Sequence, residues 1–410
     1  MRQLITGAKT HPLLVFSDFR RLFAGRLVSA VGDRFFAIAL SWWVISRGGE
    51  ESKLHLGLIM AVTFLPMVIT GPFLGTLVDR LDRRLCMLWA AAARFVLVGA
   101  LCLLLYFDSL TLPYLYALCF LLAAFNPLFE SAVSGSLADL TDADRLSQAV
   151  AVDSSVMQLS GVAGAALGSV LLAAAGVLGA FSLNAASFLL SFVFIFSIKT
   201  RLAPHPAGQS ADYAGELKAG LRYAASSGAL TGLLCFFAAI NFFLAPISLI
   251  IPMLVKYTLR EGVAWLALFE LFSALGAVAA ALALSCKQHY KNVYGWLFCA
   301  GVAMSACFAG LGVTENKAAL CGLIFLEGAA LAAGNAVAMA LFQHTVAPEM
   351  KGRFFALLFT VACAVVPLTF ALTGLAAGFM KLSTIIFVCG GGGLAVSLAL
   401  PLLPRIRNEI

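Results

Sequence analysis

The chain has 410 residues, 62% hydrophobic and only 11% charged, with a net charge of +7 and a mean hydropathy of +0.98. A soluble domain is nearer half apolar and a quarter charged, so this composition excludes an ordinary soluble protein. Apolar runs recur at about the 20 residues that a bilayer-spanning helix needs, and they are continuous rather than alternating like barrel strands.

An all-α polytopic membrane protein is therefore expected, with helices satisfying the backbone polar groups in lipid. Met1–Arg21 is short, polar and basic and lacks an apolar core, so it does not read as a cleavable signal. It contains Asp18-Phe19-Arg20-Arg21, which leads into the first apolar run. Twelve spans are expected, at roughly 22–46, 54–78, 85–107, 112–138, 147–174, 177–198, 229–255, 262–285, 292–313, 317–346, 353–380 and 384–403.

Span 1 carries Asp33 beside Gly32 and Arg34, with Arg26 two turns below. Asp33 lies roughly 16 Å into the membrane by helical rise, close to the midplane. A charge at that depth is costly and is a functional candidate by default. Span 2 runs into GTLVDRLDRR, residues 75–84, where five of ten residues are charged. Asp79 and Arg83 stand at i,i+4 and can pair if this turn is helical. Span 3 contains Arg94, and span 4 contains Asn126, Pro127 and Glu130 and ends at Asp139. Pro127 frees a backbone carbonyl and bends that helix.

Gly164 and Gly168 in span 5 form a small-xxx-small pair, as do Gly71/Gly75, Gly276/Ala280 and Gly374/Gly378 in spans 2, 8 and 11. Such pairs let backbones approach closely, and these four spans are expected to pack across the two halves. Span 6 carries Leu183-Asn184-Ala185-Ala186-Ser187-Phe188. Residues 199–227 form the longest polar stretch: a Pro/Gly/Ser-rich linker, then a short amphipathic surface helix over 212–223. This divides the chain into a six-helix bundle over 1–199, a linker over 200–227 and a second bundle over 228–410. In the second half, Asn241 lies in span 7 near Pro246, Glu270 in span 8, and Glu327 in span 10 with Asn335 at i+8. TDADRLSQAV after span 4 and APEMKGRFFAL after span 10 occupy corresponding places, the mark of a duplicated six-helix unit.

Lys and Arg set the orientation. With the N-terminus inside, eighteen of them fall in inside segments and six in outside loops. The positive-inside rule then puts both termini in the cytoplasm, and it accounts for the +7 charge without nucleic acid as a partner.

The layout Gly75-x-Leu77-x-Asp79-Arg80-x-x-Arg83-Arg84 resembles the signature loop of the major facilitator superfamily, G-x-L-x-D-R-x-x-R-R/K. With Asp18-Phe19-Arg20-Arg21-Leu22, Gly32-Asp33, the Asn184 motif and Glu216–Tyr223, the chain is similar to the subgroup holding enterobactin exporters and macrolide efflux pumps. The resemblance implies two pseudo-symmetric six-helix bundles in a bacterial inner membrane. It implies an Asp79–Arg83–Asp139 relay that clasps the cytoplasmic side, so the charges of the loop form a gate rather than a substrate site. Because spans 1, 4, 7 and 10 line the cavity in that superfamily, it places Asp33, Asn126, Glu130, Asn241, Glu327 and Asn335 near a substrate path. Span 3, and Arg94 with it, is expected at the periphery. Drug antiporters often carry a Gly-Pro pair in span 5; Gly161–Gly168 contains no Pro.

The expected function is export of an amphipathic small molecule, a siderophore or a macrolide-like compound, by alternating access and driven by protons. Burial favours a neutral carboxyl and a nearby cation favours a charged one. Asp33, Glu130, Glu270 and Glu327 are the candidates for carrying the proton. Arg26 and Arg34 would suit an anionic ligand. The alternatives on the same fold are a lipid or lysophospholipid flippase and a solute importer. A static receptor has no use for a gate clasp. No G-x-x-x-x-G-K-[ST], H-E-x-x-H or paired-carboxylate motif supports an enzyme. Five scattered His and ten Cys without a C-x-x-C pair point to no metal and no cofactor, and a monomer is expected.

Overall fold

The computed structural model describes residues 11–47, 49–78, 80–202, 213–285, 293–347 and 350–402. The regular elements among them are all helical. Among the described residues nine segments are long and apolar enough to cross a membrane, and Ser52–Met67 and Tyr294–Gly310 are shorter apolar helices. Large apolar side chains such as Trp89, Leu103 and Phe196 stand exposed on their outer faces, as a lipid solvent allows.

Local chemistry sets the helix ends and breaks. Span 3, Arg83–Tyr106, starts on Asp82, whose carboxylate accepts from Arg84 N at 2.8 Å and Leu85 N at 3.3 Å. This side chain satisfies two of the donors left open at a helix N-terminus. Asn316 caps span 10, Lys317–Thr345, in the same way. Span 4 is two helices, Leu112–Ala124 and Asn126–Leu140, meeting at Phe125 just before Pro127. That break is the bend the proline predicts, because its ring removes an N–H from the ladder. Spans 5 and 6 run through Leu146–Phe196 and turn at Gly176, with φ 65° and ψ −172°, a conformation open to glycine alone. Span 7 comprises Gly228–Leu244 and Ile247–Met253, broken at Pro246, and then a π-helical turn over Leu254–Thr258 after Pro252.

The chain forms two compact units. Unit 1 is Met1–Leu40 with Leu65–Ala211. Its core packs Phe19, Leu22, Val78, Met87, Phe129, Leu137 and Ile195 together. Gly164 and Gly168 lie against Arg34 and Phe35 of span 1. Unit 2 is Ser41–Phe64 with Asp212–Ile410, built around Leu230, Leu233, Val337, Leu341, Phe342, Phe354 and Leu357. Its surface helix, Tyr213–Ser226, packs on span 11 (Lys351–Phe379), and Ala347 N donates to Tyr223 Oη at 3.0 Å.

Residues 41–64 join unit 2 through specific contacts. Tyr257 donates to Ile45 O at 3.2 Å and its hydroxyl pairs with that of Ser52. Lys53 stands over the Tyr257 ring at 4.9 Å and Lys256 over Trp42 at 5.4 Å. Span 2, Ser52–Val78, crosses span 11 at glycine on both sides. A Cβ at Gly57 would stand 2.6 Å from Gly374 Cα and from Phe370 O. A methyl group has no room there, so Gly57→Val should destabilise the protein by about 1–3 kcal/mol through forced backbone shifts. Thermal unfolding in detergent measures this; an unchanged melting temperature would mean the crossing relaxes freely.

Candidate functional site

Four spans of unit 1 bring intramembrane charges together: spans 1, 3, 4 and 5. Arg26 on span 1 (Ser17–Arg47) is buried, 7% exposed. Its guanidinium donates to Glu130 of span 4 at 2.5 Å and to Asp153 of span 5. The planar fork of an arginine suits two carboxylates at once. Arg94 of span 3 is 3% exposed and donates to the Asn126 side-chain oxygen. Its guanidinium lies 5.0 Å from the Phe129 ring centre and 5.4 Å from that of Phe188, within cation–π range. Asp33 is near the midpoint of span 1, in the field of Arg94, Arg34 and Glu130.

Gly32 makes this approach possible. A Cβ there would stand 2.7 Å from Asn184 Oδ1 and would also strike Ser187. The motif Leu183–Phe188 thereby places Asn184 and Ser187 against span 1 and Phe188 against Arg94. Six charged residues result: Arg26, Arg34 and Arg94 against Asp33, Glu130 and Asp153. The set is balanced. Reasoning from the sequence singled out neither Asp153 nor the role of Asn184. Asp153 is visible in principle as a lone acid in AVAVDSSVM within a span. Arg94, expected at the periphery, is buried between Asn126 and Phe129 of span 4 and Phe188 of span 6.

At the end of unit 1 that holds the charged loop, Arg83 donates to Gly135 O at 2.8 Å and to Asp139 Oδ2 at 2.9 Å. Gly135 is required for this, since a Cβ would stand 2.7 Å from Arg83 Nε. Arg84 donates to Phe196 O, and Arg80 is exposed. Gly75 lies within span 2, and Asp79 lies outside the described residues. Asp18 accepts from Thr200 N at 2.8 Å, Thr200 Oγ1 at 2.7 Å and Lys199 N at 3.0 Å, tying the start of span 1 to the end of span 6.

In unit 2 a cavity of about 160 Å³ is bounded by spans 7, 9 (Val293–Gly310) and 10. Asn241, Glu327 and Asn335 all line it. Glu327 is 4% exposed, and Asn241 Nδ2 donates to Phe237 O at 2.8 Å. Glu270 of span 8 (Val263–Ser285) is in the electrostatic neighbourhood of Glu327 but does not line the cavity. Spans 8 and 10 pack backbone on backbone, Gly276 against Phe325 O and Gly328 against Ser273. Among the described residues no group of three His, Cys, Asp or Glu is arranged to hold a metal.

A family profile described as transmembrane secretion effector matches residues 10–409. Macrolide efflux protein A of Streptococcus pyogenes is 18% identical over 395 residues, covering 95% of this chain and 96% of that protein. The MFS-type transporter YfiS of Bacillus subtilis is 32% identical over 175 residues, which cover 43% of this chain and 40% of YfiS. The multidrug efflux pump Tap of Mycobacterium tuberculosis is 26% identical over 215 residues, half of each chain. Two solved structures share the fold. A bacterial homologue of the iron transporter ferroportin, in an inward-facing state, has a TM-score of 0.71 at 13% identity over 94% of this chain and 98% of its own. The nucleoside transporter NupG has a TM-score of 0.72 at 12% identity over 94% and 99%. With a match from residue 10 to residue 409 on an all-helical, multi-pass fold, this chain belongs to the transmembrane secretion effector family of major facilitator transporters.

Proposed function

We propose that this chain is a proton-coupled exporter of an amphipathic small molecule, working by alternating access of the halves 1–199 and 228–410. It acts as a monomer in a bacterial cytoplasmic membrane with both termini inside. The observation that carries this reading is the balanced set of three arginines and three carboxylates inside unit 1. In a medium of low dielectric, neutralising one carboxylate leaves an arginine uncompensated. Protonation of Asp33 would remove one of the two acids that act on Arg94, and the helices carrying these groups would shift to restore balance. A proton is thereby converted into movement of spans 1, 3 and 4. The relatives named as efflux proteins support the outward direction.

In this account the Arg83–Asp139 pair, with Asp79, clasps the cytoplasmic side while the outer side is open. Arg83→Lys keeps the charge but shortens the side chain, drawing the donor back from the place where Nη1 serves both Gly135 O and Asp139. Export should slow several-fold with substrate affinity unchanged, read as a fall in maximal rate at constant KM. A selective rise in KM would assign Arg83 to binding instead.

The reading as a whole is tested in energised inside-out vesicles containing the protein. Macrolide uptake that collapses with a protonophore supports it. No uptake of a macrolide or a catecholate siderophore by folded protein overturns it, and lipid translocation then becomes the reading to test.

A further inference from the structure

We propose that the cavity of unit 2 is a cation site, in which Glu327 receives the basic amine or quaternary ammonium group of the transported compound. This rests on the exporter reading and specifies its substrate class. Glu327 is 4% exposed and lines the cavity. It stands ten residues into span 10, about 15 Å along the axis from Lys317, and Lys317 is engaged with Glu261. Among the described residues Glu327 has no hydrogen-bond donor and no cationic partner, and its charged neighbour, Glu270, has the same sign. Unit 1 sets its intramembrane acids Asp33, Glu130 and Asp153 against arginines; here the counter-charge is not built in. A carboxylate in such a place is stable only when a cation or proton is delivered to it.

The rest of the lining fits an organic cation. Phe236 and Phe237 meet edge to face at 5.4 Å between ring centres beside the cavity, and aromatic faces attract ammonium groups. One N–H of Asn241 goes to Phe237 O, and its carbonyl oxygen can accept from a ligand's ammonium group. Leu244 and Met304 complete an apolar wall. The set therefore offers acceptors, π-faces and a negative charge, and an anion would meet Glu327 with only the amides of Asn241 and Asn335 and no cationic side chain in the lining. At about 160 Å³ the space matches an engineered cavity that holds a single benzene ring. It takes an alkylammonium head with one ring attached, and the bulk of a larger compound would extend beyond it.

The test is equilibrium binding to the purified full-length chain in detergent, with tritiated benzyltrimethylammonium as the probe. Neopentylbenzene, its uncharged carbon isostere, and benzenesulfonate serve as competitors. Saturable binding of the cation is expected, with both competitors at least about tenfold weaker and Glu327→Gln lowering cation affinity at least about tenfold. An isostere that competes as well as the cation overturns the proposal, and so does cation binding unchanged in Glu327→Gln. If that variant does not fold, the wild-type preference between cation and isostere decides alone. Selective cation binding without energised export would sink the exporter reading and leave the site standing. Energised export with no preference for the cation would do the opposite.

Discussion

Replacing Asp33 with Asn should bring protonophore-sensitive uptake below about one-tenth of wild type while folded protein remains abundant. Asn has nearly the shape of Asp, so the close seam at Gly32, Asn184 and Ser187 is preserved. Only the ability to take up and release a proton is lost. Arg94 and Arg34 then face one negative charge fewer, which holds the network permanently in its protonated-like arrangement. Uphill transport and exchange respond differently to such a lesion. Energy-independent exchange of labelled for unlabelled substrate should persist, because it needs no net proton movement. Asp33→Glu, which keeps a titratable group, should retain part of the uphill activity. If Asp33→Asn concentrates substrate as well as wild type does, the proton travels elsewhere and Glu130 becomes the residue to test. If exchange fails together with uphill transport, Asp33 is structural.

Arg26→Gln should cost about 3–5 kcal/mol of stability, the range for removing one partner from a buried ionic set. The guanidinium serves carboxylates from two other spans, and removing it strands both. Asp153 suffers most, since its side chain is 18% exposed while that of Glu130 is 46% exposed and better solvated. Adding Asp153→Asn to Arg26→Gln should recover at least half of the loss, because the stranded charge disappears with its partner. Arg26→Lys should fall between, since an ammonium lacks the planar fork for two acceptors. Thermal unfolding followed by size-exclusion fluorescence reads all three. Wild-type melting of Arg26→Gln would show that the triad adds nothing to the fold.

The architecture is largely legible in the sequence because lipid imposes a length and a composition on each span. The bend at Pro127, the break at Pro246 and the turn at Gly176 follow from the chemistry of proline and glycine. Partnerships between helices are less legible. Periodicity shows that Asp33 and Arg26 share a face, but not which acids stand opposite. Arg26 looks like a cation open to an anionic ligand until Glu130 and Asp153 are seen on it. Arg94 looks peripheral because span position carries no record of how far a long guanidinium reaches inward. The small-residue pairs mark close packing without naming the partner. Gly164 and Gly168 meet span 1, Gly276 meets span 10, and the neighbour of Gly374 is Gly57, which lies outside the Gly71/Gly75 pair of its own span. The charged loop was legible in part: Arg83 meets Asp139 as the motif implies, and Asp82, which no motif marks, caps span 3.

The measurement that tests the central claim most directly is proton release on substrate binding. Purified protein in weakly buffered detergent solution is mixed with a macrolide carrying a basic amine, and a pH-sensitive dye follows the protons. If binding and protonation are linked through the network around Asp33, wild type should release about one proton per bound substrate more than Asp33→Asn does, since any proton displaced from Glu327 is common to both. Substrate binding with no release from wild type, or with equal release from Asp33→Asn, would contradict the account.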